Sequence, residues 1–70
     1  MTKYIDTKTY RTASDKATIS VTKYTDTNLG PHYFWRITIK RDRDELGRIL
    51  EDQRLTPPSR RTIIRHLINN

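Results

Sequence analysis

Residues 33–41 read YFWRITIKR, and this stretch decides the fold. Its two sets of side chains alternate with a period of two, which predicts a strand with one buried face and one solvent-facing face. The buried face would carry Tyr33, Trp35, Ile37 and Ile39. The opposite face would carry Phe34, Arg36, Thr38 and Lys40.

The residues before this strand have the composition of a sheet. Residues 18–24 (TISVTKY) alternate in the same way, with Ile19 and Val21 on one face, and residues 25–32 (TDTNLGPH) form a loop. Residues 3–12 (KYIDTKTYRT) resemble a strand in composition but have almost no apolar face. Residues 1–16 are therefore expected to be an edge strand or a mobile arm.

Two helices are predicted after the strand. Asp42, with Glu45 three residues later, has the pattern of a helix cap, and this first helix would end before Pro57. Gly47 inside it costs about 1 kcal/mol relative to alanine. A second helix would run from Pro58 or Ser59 to Ile68. Its apolar stripe consists of Ile63, Ile64, Leu67 and Ile68.

The chain of 70 residues is long enough for one domain, residues 1–70. We expect an α+β fold, with two or three antiparallel strands followed by two C-terminal helices. Its core would be small, and without cysteine it has no disulfide support, so we expect a homodimer. The expected core is Ile19, Val21, Trp35, Ile37, Ile39, Leu46, Ile49, Leu50, Leu55, Ile63, Ile64, Leu67 and Ile68.

The charge points to an acidic partner. Fourteen Lys and Arg against eight Asp and Glu give a net charge of +6, which is typical of proteins that bind nucleic acid, anionic membranes or acidic protein surfaces. No apolar run approaches the ~20 residues of a membrane span, and the N-terminus lacks a signal-peptide pattern. We therefore expect a cytoplasmic protein that does not enter membranes.

Catalysis has little support in the sequence. His32 and His66 are the only histidines, and neither has a recognisable spacing to a nucleophile or a metal ligand. The carboxylates of residues 42–52 are typical of helix capping and surface ion pairs. We expect no catalytic residues, no metal site, no cofactor and no enzymatic activity.

The polar face of residues 33–41 is the first candidate binding site. Arg36, Thr38 and Lys40 would project from one face about 7 Å apart, and a strand in the major groove can present such groups to base edges. Arg41 would add a further cation. The alternative is an ordinary solvated sheet face. Tyr24 and Phe34 are expected to be exposed there as contacts for a partner.

The start of the second helix is the other candidate site. Ser59, Arg60 and Arg61 would combine free backbone N–H groups with two guanidinium groups, which suits a phosphate, and Arg65 follows one turn later. Simple helix capping is the alternative interpretation.

The last forty residues resemble the ribbon-helix-helix family of DNA-binding proteins, most clearly over residues 35–69. Residues 36–40 (RITIK) resemble the ribbon, residues 44–54 the first helix and residues 59–68 the second. The resemblance implies that Arg36, Thr38 and Lys40 read bases and that residues near Ser59 hold a phosphate. It also implies that Ile37 and Ile39, with the helical stripes, form a shared dimer core.

A second architecture uses the same residues. It is a three-stranded antiparallel sheet with both helices packed on its apolar face, in which residues 18–24 pair with residues 33–41. For function we expect a DNA-binding protein, either a transcriptional regulator or an accessory factor of a phage or other mobile element. The alternatives are an inhibitor or adaptor that docks on an acidic or nucleic-acid-binding protein, and an RNA-associated protein.

Overall fold

In the part of the chain that the structure describes, four strands in chain order form one antiparallel sheet, and one α-helix follows them. The structure, a computed structural model, describes residues 1–12, 17–42 and 46–69. The strands are β1 (Thr2–Thr12), β2 (Ala17–Asp26), β3 (Tyr33–Arg41) and β4 (Arg48–Arg54), and the sheet order is β1-β2-β3-β4. The helix α1 covers Arg60–Asn69, and a short 3₁₀ turn covers Thr27–Leu29.

The hairpin of β2 and β3 is the centre of the sheet. Its register places Ile19 opposite Ile39 and Val21 opposite Ile37, so the aliphatic side chains of both strands share one face. The connection is fixed by Asp26, whose carboxylate accepts a hydrogen bond from the backbone N–H of Asn28 at 2.9 Å. Pairing of residues 18–24 with residues 33–41 within one chain is thus confirmed.

Strand β1 lies at one edge of the sheet. It pairs with β2 along its whole length, and the register shifts once, between Tyr4 and Asp6. Every residue from Thr2 to Arg11 is exposed. Of the two alternatives for residues 1–16, an arm or an edge strand, the structure has an edge strand over Thr2–Thr12.

Strand β4 stands where we expected the first helix, and that prediction is wrong. Asp42 lies in a turn, and Arg48–Arg54 pairs with β3 through two register shifts. A helix here would contain Gly47 and would leave the second edge of β3 without hydrogen-bond partners. Pairing with β3 satisfies those backbone groups, so tertiary contact overrides the local helical pattern.

Helix α1 packs on the aliphatic face of the sheet. Its first turn is capped by Ser59, whose hydroxyl accepts a hydrogen bond from the Thr62 N–H at 3.3 Å. Below, "helix face" means the sheet side that carries Ile19, Val21, Ile37 and Ile39, and "far face" means the opposite side. The buried cluster under the helix consists of Ala17, Ile19, Val21, Ile37, Ile39 and Ile63, with Trp35, Leu50 and Leu67 partly buried against it.

The core is smaller than expected. Five residues that we assigned to it are exposed: Leu46, Ile49, Leu55, Ile64 and Ile68. Without a first helix, Leu46 and Ile49 lose the surface against which they would have packed. Three residues that we did not assign to it are buried: Ala17, Tyr24 and Phe34.

Both expected architectures are therefore corrected. The described residues form four strands and one α-helix, whereas a ribbon-helix-helix unit and the three-stranded alternative both require two helices. In addition, β2 and β4 occupy the two edges of β3. Strand β3 consequently cannot pair with the same strand of a second protomer, as the ribbon of that family does.

Candidate nucleic-acid interface

The three residues expected to read bases lie on the far face, but two of them already contact other residues of the chain there. The Nε of Arg36 lies 3.0 Å from Oδ1 of Asp52, and its guanidinium carbon lies 5.0 Å from the ring centre of Tyr24. The hydroxyl of Thr38 donates to the Ser20 carbonyl oxygen at 3.5 Å. Lys40 is exposed and has no ion pair with another described residue.

Tyr24 and Phe34 are buried, so the expectation that they are exposed contacts is wrong. Their exposed fractions are 2% and 6%. Their ring centres lie 5.7 Å apart, and the ring of Tyr4 covers Tyr24 from the other side at 6.3 Å. Burial raises the pKa of Tyr24, and its hydrogen bond to Asp52 acts in the same direction. These rings hold neighbouring strands together rather than offering a surface to a partner.

Three cations on the far face are paired with acids. Arg11 lies 2.7 Å from Asp42, Arg36 binds Asp52, and the N-terminal ammonium lies 3.5 Å from Asp26. Hydrogen bonds from the Asn28 N–H and from the Thr2 hydroxyl lower the pKa of Asp26. Each of these acids thus faces a cation, and among the described residues of the far face Lys40 alone adds an unpaired positive charge.

The helix face is different, because its cations outnumber its acids. Strand register places Lys3, Lys8, Lys23 and Arg41 on this side, and α1 adds three arginines. Among the described residues, seven cations here have no ion pair: Lys3, Lys8, Lys23, Arg41, Arg60, Arg61 and Arg65. We call these seven residues the basic surface.

Acids on the helix face do not cancel this charge. Glu51 binds Arg54 at 2.9 Å and His66 at 2.7 Å, and its hydrogen bond to His66 holds the pKa of its carboxyl below the ordinary value. Asp6 sits opposite Lys23 in the strand register, but its carboxylate accepts from the Thr7 N–H. The helix face therefore has a clear positive excess.

A groove on the helix face runs between β1 and the chain that leads into α1. It has a volume of about 230 Å³. Its lining includes Lys8, Tyr10, Lys23, Trp35, Pro58 and Ile63. The ammonium of Lys23 lies 4.4 Å from the ring centre of Tyr33 and 5.7 Å from that of Trp35. Positive charge beside aromatic rings is the combination that single-stranded nucleic acid binds.

The predicted phosphate site at the start of α1 is only partly available. The Ser59 hydroxyl is already used in capping, because it accepts from the Thr62 N–H and lies 3.1 Å from the Thr62 hydroxyl. Arg60 and Arg61 are exposed in the first turn, which contains no acid, and Arg65 is exposed one turn after Arg61. Cations at this end of a helix oppose its dipole, and a bound anion would relieve that cost.

The predicted site residues thus divide between the two faces. Arg36, Thr38 and Lys40 lie on the far face, and Arg41 and the helix arginines lie on the helix face. Sequence reasoning missed Lys3, Lys8 and Lys23. Lys23 has the same strand parity as Ile19 and Val21, so the period-two pattern could have placed it on the helix face. Lys3 and Lys8 had no such signal, since residues 3–12 lack an apolar face.

Comparison with protein-family models, with curated proteins and with solved structures gave no match. In the part of the chain that the structure describes, no helix is both long and apolar enough to cross a bilayer. The same residues contain no group of three or more His, Cys, Asp or Glu side chains placed to hold a metal ion.

Proposed function

We propose that this protein binds DNA through the basic surface on its helix face. The observation that carries the proposal is the different number of unpaired cations on the two sides of the sheet. On the far face, acids pair with every described cation except Lys40, whereas the seven residues of the basic surface have no ion pair among the described residues. Unpaired cations concentrated on one side are the electrostatic footprint of a polyanion-binding protein.

Contacts to phosphate, rather than to base edges, are the main source of affinity in this proposal. Lysine and arginine on a rigid surface neutralise phosphates and release counterions, which favours binding in a salt-dependent way. Arg61 and Arg65 are one helical turn apart on α1 and both exposed, so both can reach one backbone. The proposed binding mode does not use β3 to read bases, because Asp52 and Tyr24 hold Arg36.

A specific observation also favours single-stranded nucleic acid as a ligand. The groove beside β1 combines Lys8 and Lys23 with Tyr10 and Trp35. An unpaired base can stack on such rings, while a duplex keeps its bases inside. Duplex and single-stranded DNA of the same sequence should therefore be compared in every titration.

The test is a fluorescence titration of labelled DNA at two salt concentrations. The variant Arg61→Gln/Arg65→Gln should weaken binding on the order of tenfold, and it should lower the slope of log K against log salt by up to about two. The matched control is Arg11→Gln/Lys40→Gln, which removes the same charge from the far face and should have a small effect. Equal losses in both variants, or no binding in dilute buffer, would refute the proposal.

The wider role follows from the activity. We propose that the protein is a small regulator or an accessory factor of a mobile genetic element, and that it acts in the cytoplasm. The alternative of an inhibitor or adaptor loses two of its contacts, since Tyr24 and Phe34 are buried.

A further inference from the structure

Strand β1 has an open edge that is suited to pairing. Its 11 residues pair with β2 on one side, and no other described strand pairs with its second edge. The edge at β4 is protected differently, because that strand has 7 residues, two register shifts and a positive φ at Gln53. In β1 the only shift lies between Tyr4 and Asp6, and the pairing from Asp6 to Thr12 is regular.

The hydrogen bonding of Thr7 shows which backbone groups face the open edge. The Thr7 N–H donates to Oδ1 of its neighbour Asp6 at 2.9 Å. A backbone donor that takes a side-chain acceptor in this way points away from β2, and the carbonyl of the same residue points with it. Thr7 therefore directs both its N–H and its C=O at the open edge, and the carbonyl of a new strand would replace the Asp6 carboxylate as the acceptor of that N–H.

We propose that a second copy of this chain pairs antiparallel with β1, with Thr7 on the two-fold axis. In this register Thr7 exchanges two hydrogen bonds with Thr7 of the partner subunit. Asp6 then lies opposite Lys8 of the partner subunit, and Lys8 lies opposite the partner's Asp6. The interface is isologous, so each opposite-charge contact occurs twice.

The charges along β1 select this register. Centring the pairing on Lys8 places two lysines directly opposite each other, and centring it on Asp6 does the same for two carboxylates, both of which are unfavourable. Centring it on Thr9 loses both Asp6–Lys8 pairs. With Thr7 at the centre and Ile5 as the extra residue of the bulge, Lys3 faces the partner's Tyr10, and no like charges meet.

The dimer would enlarge the groove described above. A two-fold axis through an antiparallel strand pair stands perpendicular to the sheet, so both copies of α1 lie on the same side. The two grooves beside β1 then adjoin across the seam of an eight-stranded sheet, with both Asp6–Lys8 pairs and Tyr10 from both copies near its middle. The pairing itself does not depend on DNA binding.

Sedimentation of the full chain in the absence of nucleic acid tests the inference. We expect a dimer at about 100 μM for the wild type, since oligomerisation depends on protomer concentration. Asp6→Lys and Lys8→Asp each place like charges opposite each other and should weaken dimerisation at least about tenfold. The double variant Asp6→Lys/Lys8→Asp restores opposite charges and should recover the dimer. Lys40→Asp is the control on the far face and should stay dimeric.

Oxidative cross-linking gives a second readout that does not rely on charge. The sequence contains no cysteine, so Thr7→Cys introduces a single thiol, and the expected Cα separation of about 5.5 Å across the axis allows a disulfide. Thr22→Cys, one strand away from the edge, should cross-link far less. A monomeric wild type, or a double variant that remains as monomeric as the single variants, would overturn the inference whether or not the protein binds DNA.

Discussion

The hydroxyl of Tyr24 donates a 2.7 Å hydrogen bond to Oδ1 of Asp52, and this contact connects β2 to β4 across β3. The same carboxylate oxygen accepts from Nε of Arg36, which projects from the strand between them, and from the Gln53 N–H. One acid thus ties the irregular edge strand to the centre of the sheet. On the far face, this network joins β2, β3 and β4 through side-chain hydrogen bonds.

Removal of the Tyr24 hydroxyl should destabilise the protein measurably. Tyr24→Phe keeps the buried ring but deletes one of the donors to Asp52, and we expect a loss of about 1 kcal/mol in the free energy of unfolding. Urea denaturation measures it as a lower midpoint with an unchanged slope. Tyr33→Phe is the control, because Tyr33 is exposed and its hydroxyl makes no hydrogen bond to another described residue. Equal midpoints for the two variants would contradict this role of the hydroxyl.

Stability should fall in acid because three carboxyls, those of Asp26, Glu51 and Asp52, have lowered pKa values. Burial acts to raise the pKa of Asp52, but hydrogen bonds from Arg36, Tyr24 and the Gln53 N–H outweigh it. The hydrogen bond to His66 lowers the pKa of Glu51. A carboxyl whose folded pKa is lowered contributes stability above its unfolded pKa of about 4, and loses it as the pH falls through the folded value.

Urea midpoints measured from pH 6 down to pH 3 check this sign. The urea midpoint of the wild type should be nearly constant near pH 6 and should fall below about pH 4. Asp52→Asn should start lower at pH 6 and fall less steeply, since one of the titrating groups is gone. An identical pH dependence in wild type and Asp52→Asn would show that Asp52 does not contribute to it.

Gln53 has a backbone conformation that a different residue would adopt more easily. Its φ is 55°, which lies in the left-handed region that favours glycine. Gln53→Gly should therefore be neutral or stabilising by up to about 1 kcal/mol, whereas Gln53→Val should be destabilising by more than that, because a β-branched residue is strained there. Lys40→Val, at an exposed position of the interior strand β3, is the control for loss of a polar side chain. Thermal unfolding separates the three variants, and a Gln53→Gly protein less stable than Gln53→Val would contradict the expectation.

The sequence identified β2 and β3 because their alternation is uninterrupted. The same rule failed for residues 48–54, since the two register shifts of β4 break the period of two that would have marked a strand. The spacing of Leu46, Ile49 and Leu50 fits a helix, and nothing in the local pattern shows that the edge of β3 is vacant. Only the pairing decides between the two structures.

The face of each β3 side chain was predictable, but its neighbours were not. Alternation correctly places Phe34 and Arg36 opposite Ile37. Alternation gives no information about which side chains of neighbouring strands lie beside a residue. Tyr4, Tyr24 and Asp52 come from other strands and surround Phe34 and Arg36. For this reason the candidate site lies on the helix face and not on the far face. On the helix face, strand register brings together lysines that are distant in sequence.

Helix α1 contacts the sheet through a narrow part of its apolar stripe. The sequence predicts one stripe of four apolar residues, but Ile63 is 4% exposed while Ile64 is 44% exposed. Ile63→Ala should cost about 2–4 kcal/mol, because it opens a cavity in the buried cluster, and Ile64→Ala should cost well under half of that. The two variants delete the same atoms from adjacent positions of one helix, so helix propensity changes equally in both. Urea denaturation gives the comparison, and similar losses in the two variants would mean that α1 does not pack on the sheet through Ile63.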